Sequence, residues 1–390
     1  MHANQESQSH LPIETRYSSA SRSTPLRLPS RIAALLTAGA LGLLASSAFA
    51  DHYLQTNLVS DVPGLAVTTH MPLVNPWGLS RSATSPWWVA DNGAGVSTLY
   101  NGAGTPLGLV VTVPVVMGGT PPSTPTGTVF NGTTDFQVGP SQPARFLFVT
   151  EDGTISGWNS AANPTNAILK VDWSGSAVFK GATLGQIAGA NVLYVANFRG
   201  GAVNVFDANY HPVSLAAGAF WDRHLPKGYA PFNVQNINGM IFVAFAKQDD
   251  LKHDEVAGPG RGFVDAFDSS GVLLMRLQSG HWMNAPWGIA LAPADFGKHS
   301  SQVLVGNFGS GKIAAFDPST GHFRGMLRAD NHLPIKIDGL WALSFGNGAS
   351  AGPVNTLYFT AGIDDEAHGL FGTLTSVADT SDGDKDDDDM

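Results

Sequence analysis

The chain of 390 residues contains no cysteine. That excludes disulfide staples, thiol catalysis, thiolate metal sites and a lipid-modified cysteine anchor. Basic charge is scarce, with 21 Lys and Arg against 31 Asp and Glu, and no basic patch forms, which argues against a nucleic-acid partner. Helical periodicity is almost missing. No H-x-x-x-H or H-E-x-x-H zinc spacing and no G-x-S-x-G elbow occurs. His70, His211, His224 and His332 are scattered and carry no signal on their own.

Long apolar runs are also missing. The apolar stretch at 32–44 has 13 residues, and a membrane span needs about 20. Arg16, Arg22, Arg27 and Arg31 precede or open it, and Ala48-Phe49-Ala50 follows it. A basic region, an apolar core and an A-x-A ending describe a signal peptide over residues 1–50, cut after Ala50. A membrane anchor is the other reading, and the stretch is too short for it. The expected location is therefore secreted or periplasmic, with no membrane span after cleavage. Without its leader the chain keeps 17 basic and 29 acidic residues. Much of that charge sits in the run 382–389, read as a disordered acidic tail over 379–390.

What is present is a repeat. The best copies open with NPWGL (75–79), APWGI (285–289) and DGLWA (338–342). Apolar runs ending in polar turns follow, as in WWVADNGAG (87–95), VLVGNFGSG (303–311) and LYFTAGIDD (357–365). Weaker copies lie at 146–154, 193–201 and 240–250. The 45 Gly and 24 Pro punctuate short β-rich runs, so the chain is read as all-β. Six strand-plus-turn units imply a six-bladed β-propeller over 51–378. The blades are expected near 72–114, 125–172, 176–216, 229–278, 284–328 and 336–377, each with up to four strands. The sixth lacks an outer strand, and the segment YLQTNLVS (53–60) is expected to supply it and close the ring. Residues 114–125 and 218–232 read as links between blades. Residues 247–262 read as an insertion inside blade four.

Meander order places the start of each first strand and the end of each second strand on one face. Asn75, Trp77, Asp91, Asn92, Glu151, Asp152, Asn197, Asn233, Asn284, Trp287, Asn307, Asp338, Trp341 and Asp364 should therefore gather around one mouth of the axial channel, which is the default binding site. For Asn92, Asn197 and Asn307 the plainer role is turn formation. For Trp77, Trp287 and Trp341 it is packing between blades, and the alternative is an aromatic wall. The insertion is expected on the same face, and it gathers Asp249, Asp250, Asp254 and Glu255 beside Lys247, Lys252 and His253. Asp249, Asp250 and Asp254 are candidate metal ligands, with Ca²⁺ the candidate ion because it takes six to eight oxygens. The alternative is a solvated charged loop. The spacing is not that of an EF-hand. Asp364, Asp365, Glu366 and His368 form a second cluster of the same kind.

Segments such as VADNG (89–93), TEDGTISGWN (150–159), LPKGYAPFNVQ (225–235), VAGPGRGFVDAFD (256–268) and HGLFGTL (368–374) resemble those of a family of exported bacterial six-bladed propellers. That family is similar in fold to NHL-type propellers. The resemblance spans nearly the whole chain after the leader. It implies the fold and no activity. Two functional classes follow. One is a module binding a small-molecule or protein ligand at the mouth. The other is a metal-dependent hydrolase or lyase with a cation there.

Overall fold

A computed structural model describes residues 50–378. Most of the expected leader, and the acidic tail, lie outside the described residues. The chain is all-β, with six blades arranged as a propeller. Blade one is the meander Pro76–Ser80, Trp87–Asp91, Val96–Tyr100 and Pro106–Thr112. Blade two runs Pro125–Phe130, Phe146–Thr150, Thr154–Trp158 and Ile168–Asp172. Blade four runs Tyr229–Ile237, Met240–Lys247, Gly262–Phe267 and Leu273–Arg276, and blade five Pro286–Leu291, Val303–Asn307, Lys312–Phe316 and Phe323–Met326. Blade three has three strands, Phe179–Ile187, Ala190–Asn197 and Ala202–Phe206, and a chain return at Pro212 bridges its outer edge. The link expected over 218–232 is shorter, because Tyr229 already begins the first strand of blade four.

Blade six comprises Leu340–Phe345, Leu357–Ile363 and His368–Ala378, and Ala50–Ser60 completes it. The added strand pairs antiparallel with the last one, from Tyr53 opposite Ser376 to Ser60 opposite Leu370. This is the closure that the alternating segment at 53–60 suggests. It removes an open edge and buries Tyr53 and Val59. The Tyr53 hydroxyl donates to the Phe296 carbonyl (2.9 Å) and accepts from the His299 amide (3.0 Å), which fastens the strand to blade five.

Apolar side chains alternate along the strands and meet those of the next blade. An apolar cluster fills each of the six seams between neighbouring blades, and a further cluster lies on the axis. The axial cluster has a specific cause. The pairing of first and second strands slips at the same place in every blade. The slips fall at Trp77-Gly78, Thr126-Gly127, Lys180, Phe232, Trp287-Gly288 and Trp341-Ala342. A β-bulge inserts an extra residue and re-aims a side chain. Here the six bulges form one ring of Trp77, Thr126, Lys180, Phe232, Trp287 and Trp341. Small residues follow most of these positions, so neighbouring innermost strands approach closely. A Cβ on Gly78 would meet the Thr126 carbonyl, and one on Gly288 the Trp341 carbonyl.

Candidate functional site

The bulge ring forms the floor of the channel mouth. Trp77 stacks on Trp341 with ring centroids 3.5 Å apart, and Trp287 meets both edge-on at 6.1 and 5.9 Å. Phe232 packs against Trp77 and Trp341, and Phe308 stacks on Trp341. The tryptophans thus pack on the axis as a plug, rather than in the seams or around an open wall.

Lys180 occupies the blade-three position of the same ring. It is 1% exposed. Its ammonium lies 5.0 Å from the centre of the Trp77 ring and 5.9 Å from those of Phe198 and Phe232. Such cation–π contacts are worth most when desolvated. Nζ donates to Glu151 Oε1 (2.5 Å) and to Asp254 Oδ1 (3.3 Å). Burial works against the charged ammonium, but Glu151, Glu255 and Asp254 outweigh it and hold the pKa of Lys180 above its ordinary value. Lys180 is therefore a fixed cation at neutral pH, with no free amine for nucleophilic attack.

The carboxylates come from alternate blades. Glu151 directly follows the second strand of blade two, and Asp254 and Glu255 come from the blade-four insertion. Glu366 comes from the last hairpin of blade six, where Asp364, Asp365 and Glu366 all have positive φ, from 54° to 66°. Three consecutive non-glycine residues in this region store strain, and the turn they form brings Glu366 to Asn75. Asn75 Nδ2 donates to Glu366 Oε2 (2.6 Å) and Asn92 Oδ1 (3.3 Å), and Asn92 Nδ2 donates to Glu151 Oε2 (2.8 Å). Asn75 Oδ1 accepts from Trp341 Nε1 (3.1 Å), tying the rim to the floor.

Four carboxylates thus surround one ammonium. Glu255 is part-exposed along its length, but its carboxyl is buried. That burial, with Lys180 only partly compensating, pushes its pKa up to about 7. Glu366 is also raised, first by burial and then by the Glu151 charge, against the Asn75 hydrogen bond. Asp254 moves the other way. Its desolvation is outweighed by Lys180 and His253, whose Nδ1 lies 2.8 Å from Asp254 Oδ1.

The insertion lies on the mouth face, as expected from strand order. Its Gly258 amide donates to Asn284 Oδ1 (2.6 Å). Of the three candidate metal ligands, only Asp254 joins the cluster. Asp249 Oδ1 accepts from the His253 amide (2.8 Å) and so caps its own loop, and Asp250 is exposed. Among the described residues, the set whose ligand atoms come within 4.8 Å of one another is Glu151, His253 and Asp254. One imidazole with two carboxylates suits a transition ion better than Ca²⁺, which prefers oxygen alone.

The other candidates divide by depth. Asn75, Trp77, Trp287 and Trp341 build the mouth, and Trp287 Nε1 donates to the Lys180 carbonyl (3.0 Å). Asn233 lies deeper than the rim and lines a channel space of about 30 Å³ with Thr128 and Gln235. Its Nδ2 donates to the Trp287 carbonyl (2.8 Å). Asp91 is buried inside blade one, where Oδ2 accepts from the Thr98 amide and hydroxyl. Asn197 accepts from the Gly200 amide (2.9 Å), and Asn307 donates to the Lys312 carbonyl (3.1 Å). Both act as turn formers. Asn284 anchors the insertion, and exposed Asp338 accepts from the Asp364 amide (3.0 Å), shaping the hairpin that carries Glu366. Lys180 is the residue that sequence reasoning missed. Its signal was FKG (179–181), in register with PWG (76–78 and 286–288).

No protein-family model matches the chain. It is 31% identical over 328 residues to Uncharacterized protein R648 of Acanthamoeba polyphaga mimivirus, covering 81% of this chain and 78% of that protein. It is 30% identical over 328 residues to Uncharacterized protein L690 of the same virus, covering 81% and 84%. These relatives are viral, where the sequence resemblance pointed to bacterial proteins. Among solved structures, a streptogramin B lyase is 11% identical with a TM-score of 0.48, covering 83% of this chain and 97% of that one. A virginiamycin B lyase from Staphylococcus aureus is 11% identical with a TM-score of 0.47, covering 83% and 99%. Likeness at this level carries no conclusion about activity.

Proposed function

The chain belongs to the family that includes the mimivirus proteins R648 and L690, and we propose that it is a binding propeller whose channel mouth takes a positively charged group of a small molecule or protein partner. The observation that carries this reading is the imbalance at the mouth. Glu151, Asp254, Glu255 and Glu366 face a single ammonium. Glu255 and Glu366 hold protons more tightly than ordinary glutamates, first because they are buried and then because neighbouring carboxylates add negative charge that Lys180 offsets only in part. An incoming cation favours the ionised form of both groups, so binding near pH 7 releases protons, chiefly from Glu255. The net negative charge of the chain adds long-range attraction.

Calorimetric titration with spermidine tests this reading. The wild type should bind, Glu255→Gln/Glu366→Gln should bind at least about tenfold more weakly at pH 8, and Lys180→Met should bind more tightly. Equal affinity in all three would reject the mouth as the site.

The second reading is the metal-assisted hydrolase or lyase, favoured by the Glu151, His253 and Asp254 set. Glu255, with a pKa of about 7, would then suit general acid–base work. Lys180 competes with any ion for Glu151 and Asp254, so Lys180→Met should raise zinc affinity if this reading holds. Export rests on the leader at 1–50, all but Ala50 of which lies outside the described residues. Cleavage after Ala50 would retain residues 51–60 of the closing strand, and N-terminal sequencing of exported protein should begin at Asp51.

A further inference from the structure

A second concave site lies on the rim of blade five, with chemistry opposite to that of the mouth. It is a cleft of about 450 Å³ between the outer strands of blade five and the links at 277–285 and 327–339. Trp282 and Phe323 form one wall, stacked with centroids 4.1 Å apart and planes 10° from parallel. Met326 extends the apolar surface, and His281 packs edge-on against Trp282 at 5.1 Å. Lys312 and Arg328 complete the lining, and among the described residues no Asp or Glu lines the cleft. In a chain with an excess of acidic residues, an acid-free, base-lined pocket is a selective feature.

Two further details favour an external anion. Among the described residues Lys312 is held through its backbone, and its side chain makes no hydrogen bond or ion pair. Arg328 spends Nη1 on the His332 carbonyl, which leaves most of its five N–H donors available. The cleft volume falls within the usual range for small-molecule sites, and an apolar wall with a few converging polar groups is their usual composition. The Trp282 indole N–H is already used on the Gln278 carbonyl (3.1 Å), and Phe323 and Gly280 cover its ring faces, so Trp282 offers the ligand the apolar edge of its ring.

We propose that this cleft binds a small organic anion with a flat aromatic body, its ring against Trp282 and Phe323 and its carboxylate between Lys312 and Arg328. The cleft adjoins the blade-four insertion through Pro259 and Asn284 but shares no charged residue with the mouth. Calorimetry with 2-naphthoate, its neutral amide and the 2-naphthylmethylammonium ion tests both halves of the proposal. The anion should bind at least about tenfold more tightly than the amide, and any binding of the cation should be unchanged by Trp282→Ala. Lys312→Gln should weaken naphthoate binding about tenfold and leave the amide unchanged, and Trp282→Ala should weaken both. Glu255→Gln, at the mouth, should alter neither. The proposal fails if anion and amide bind equally, if Lys312→Gln has no effect, or if naphthoate shows no binding at millimolar concentration. Because Lys312→Gln changes a partly exposed side chain, an unchanged melting curve for it separates lost recognition from lost folding.

Discussion

Lys180 keeps its proton because carboxylates surround it, although it is almost fully buried. Removing one partner of a buried pair costs about 3–5 kcal/mol, because the other charge is stranded. Asp254 is largely in water, so Lys180→Met should destabilise by about 3 kcal/mol, the lower end of that range, at pH 8. The loss should shrink at pH 5, where Glu255 is largely protonated. Equal losses at the two pH values would contradict the cluster. Glu255 itself gives a signed prediction. Its pKa is raised in the folded state from 4.5 to about 7, so the native state binds the proton more tightly. Its contribution is fully present below about pH 4.5 and is lost as pH rises to 7. The melting temperature should fall across that window, and Glu366 acts in the same direction. Glu255→Gln should flatten the profile, and a thermal scan series from pH 4.5 to 8 checks it. The register of FKG (179–181) with PWG marks the position of Lys180, but its charge partners were not legible, since the repeat is recognised by its tryptophans and blade three replaces that residue with lysine. What repeats is the bulge position, and the side chain it carries varies.

At the scale of elements, the bulge repeated in six first strands builds the plug, and the hairpin of blade six builds the rim. Asp364, Asp365 and Glu366 offer no glycine to announce three left-handed residues, so sequence shows an acidic cluster where the structure has a strained turn. Left-handed conformation costs a non-glycine residue about 1–2 kcal/mol. Asp365 is exposed and has φ of 55°. Asp365→Gly should therefore be neutral or raise stability by up to about 1 kcal/mol, as read by denaturant midpoint, whereas a large loss would show that its side chain holds the turn. The closing strand was more legible, because its alternation had no partner nearby and blade six lacked an edge. Deleting residues 53–60 removes buried Tyr53 and Val59 and exposes the edge of His368–Ala378. Aggregation or a clearly lower melting temperature should follow, and an unchanged curve would mean that the strand closes nothing.

The whole molecule joins a rigid ring to a charged mouth. The ring could be read because each blade needs the same strand ends and turns, and these leave a repeated trace in the sequence. The mouth could be read only as a region. Its charges come from blades two, three, four and six, and neither their spacing in the chain nor the depth of Asn233 relative to Asn75 follows from residue type. The central claim is that this mouth lacks positive charge and binds a cation to supply it. The most direct test is calorimetry with spermidine at pH 7 in two buffers of different ionisation enthalpy. Binding should release protons, the release should disappear in Glu255→Gln/Glu366→Gln, and affinity should rise between pH 6 and 8. Binding without proton release, or equal proton release from the double variant, would contradict it.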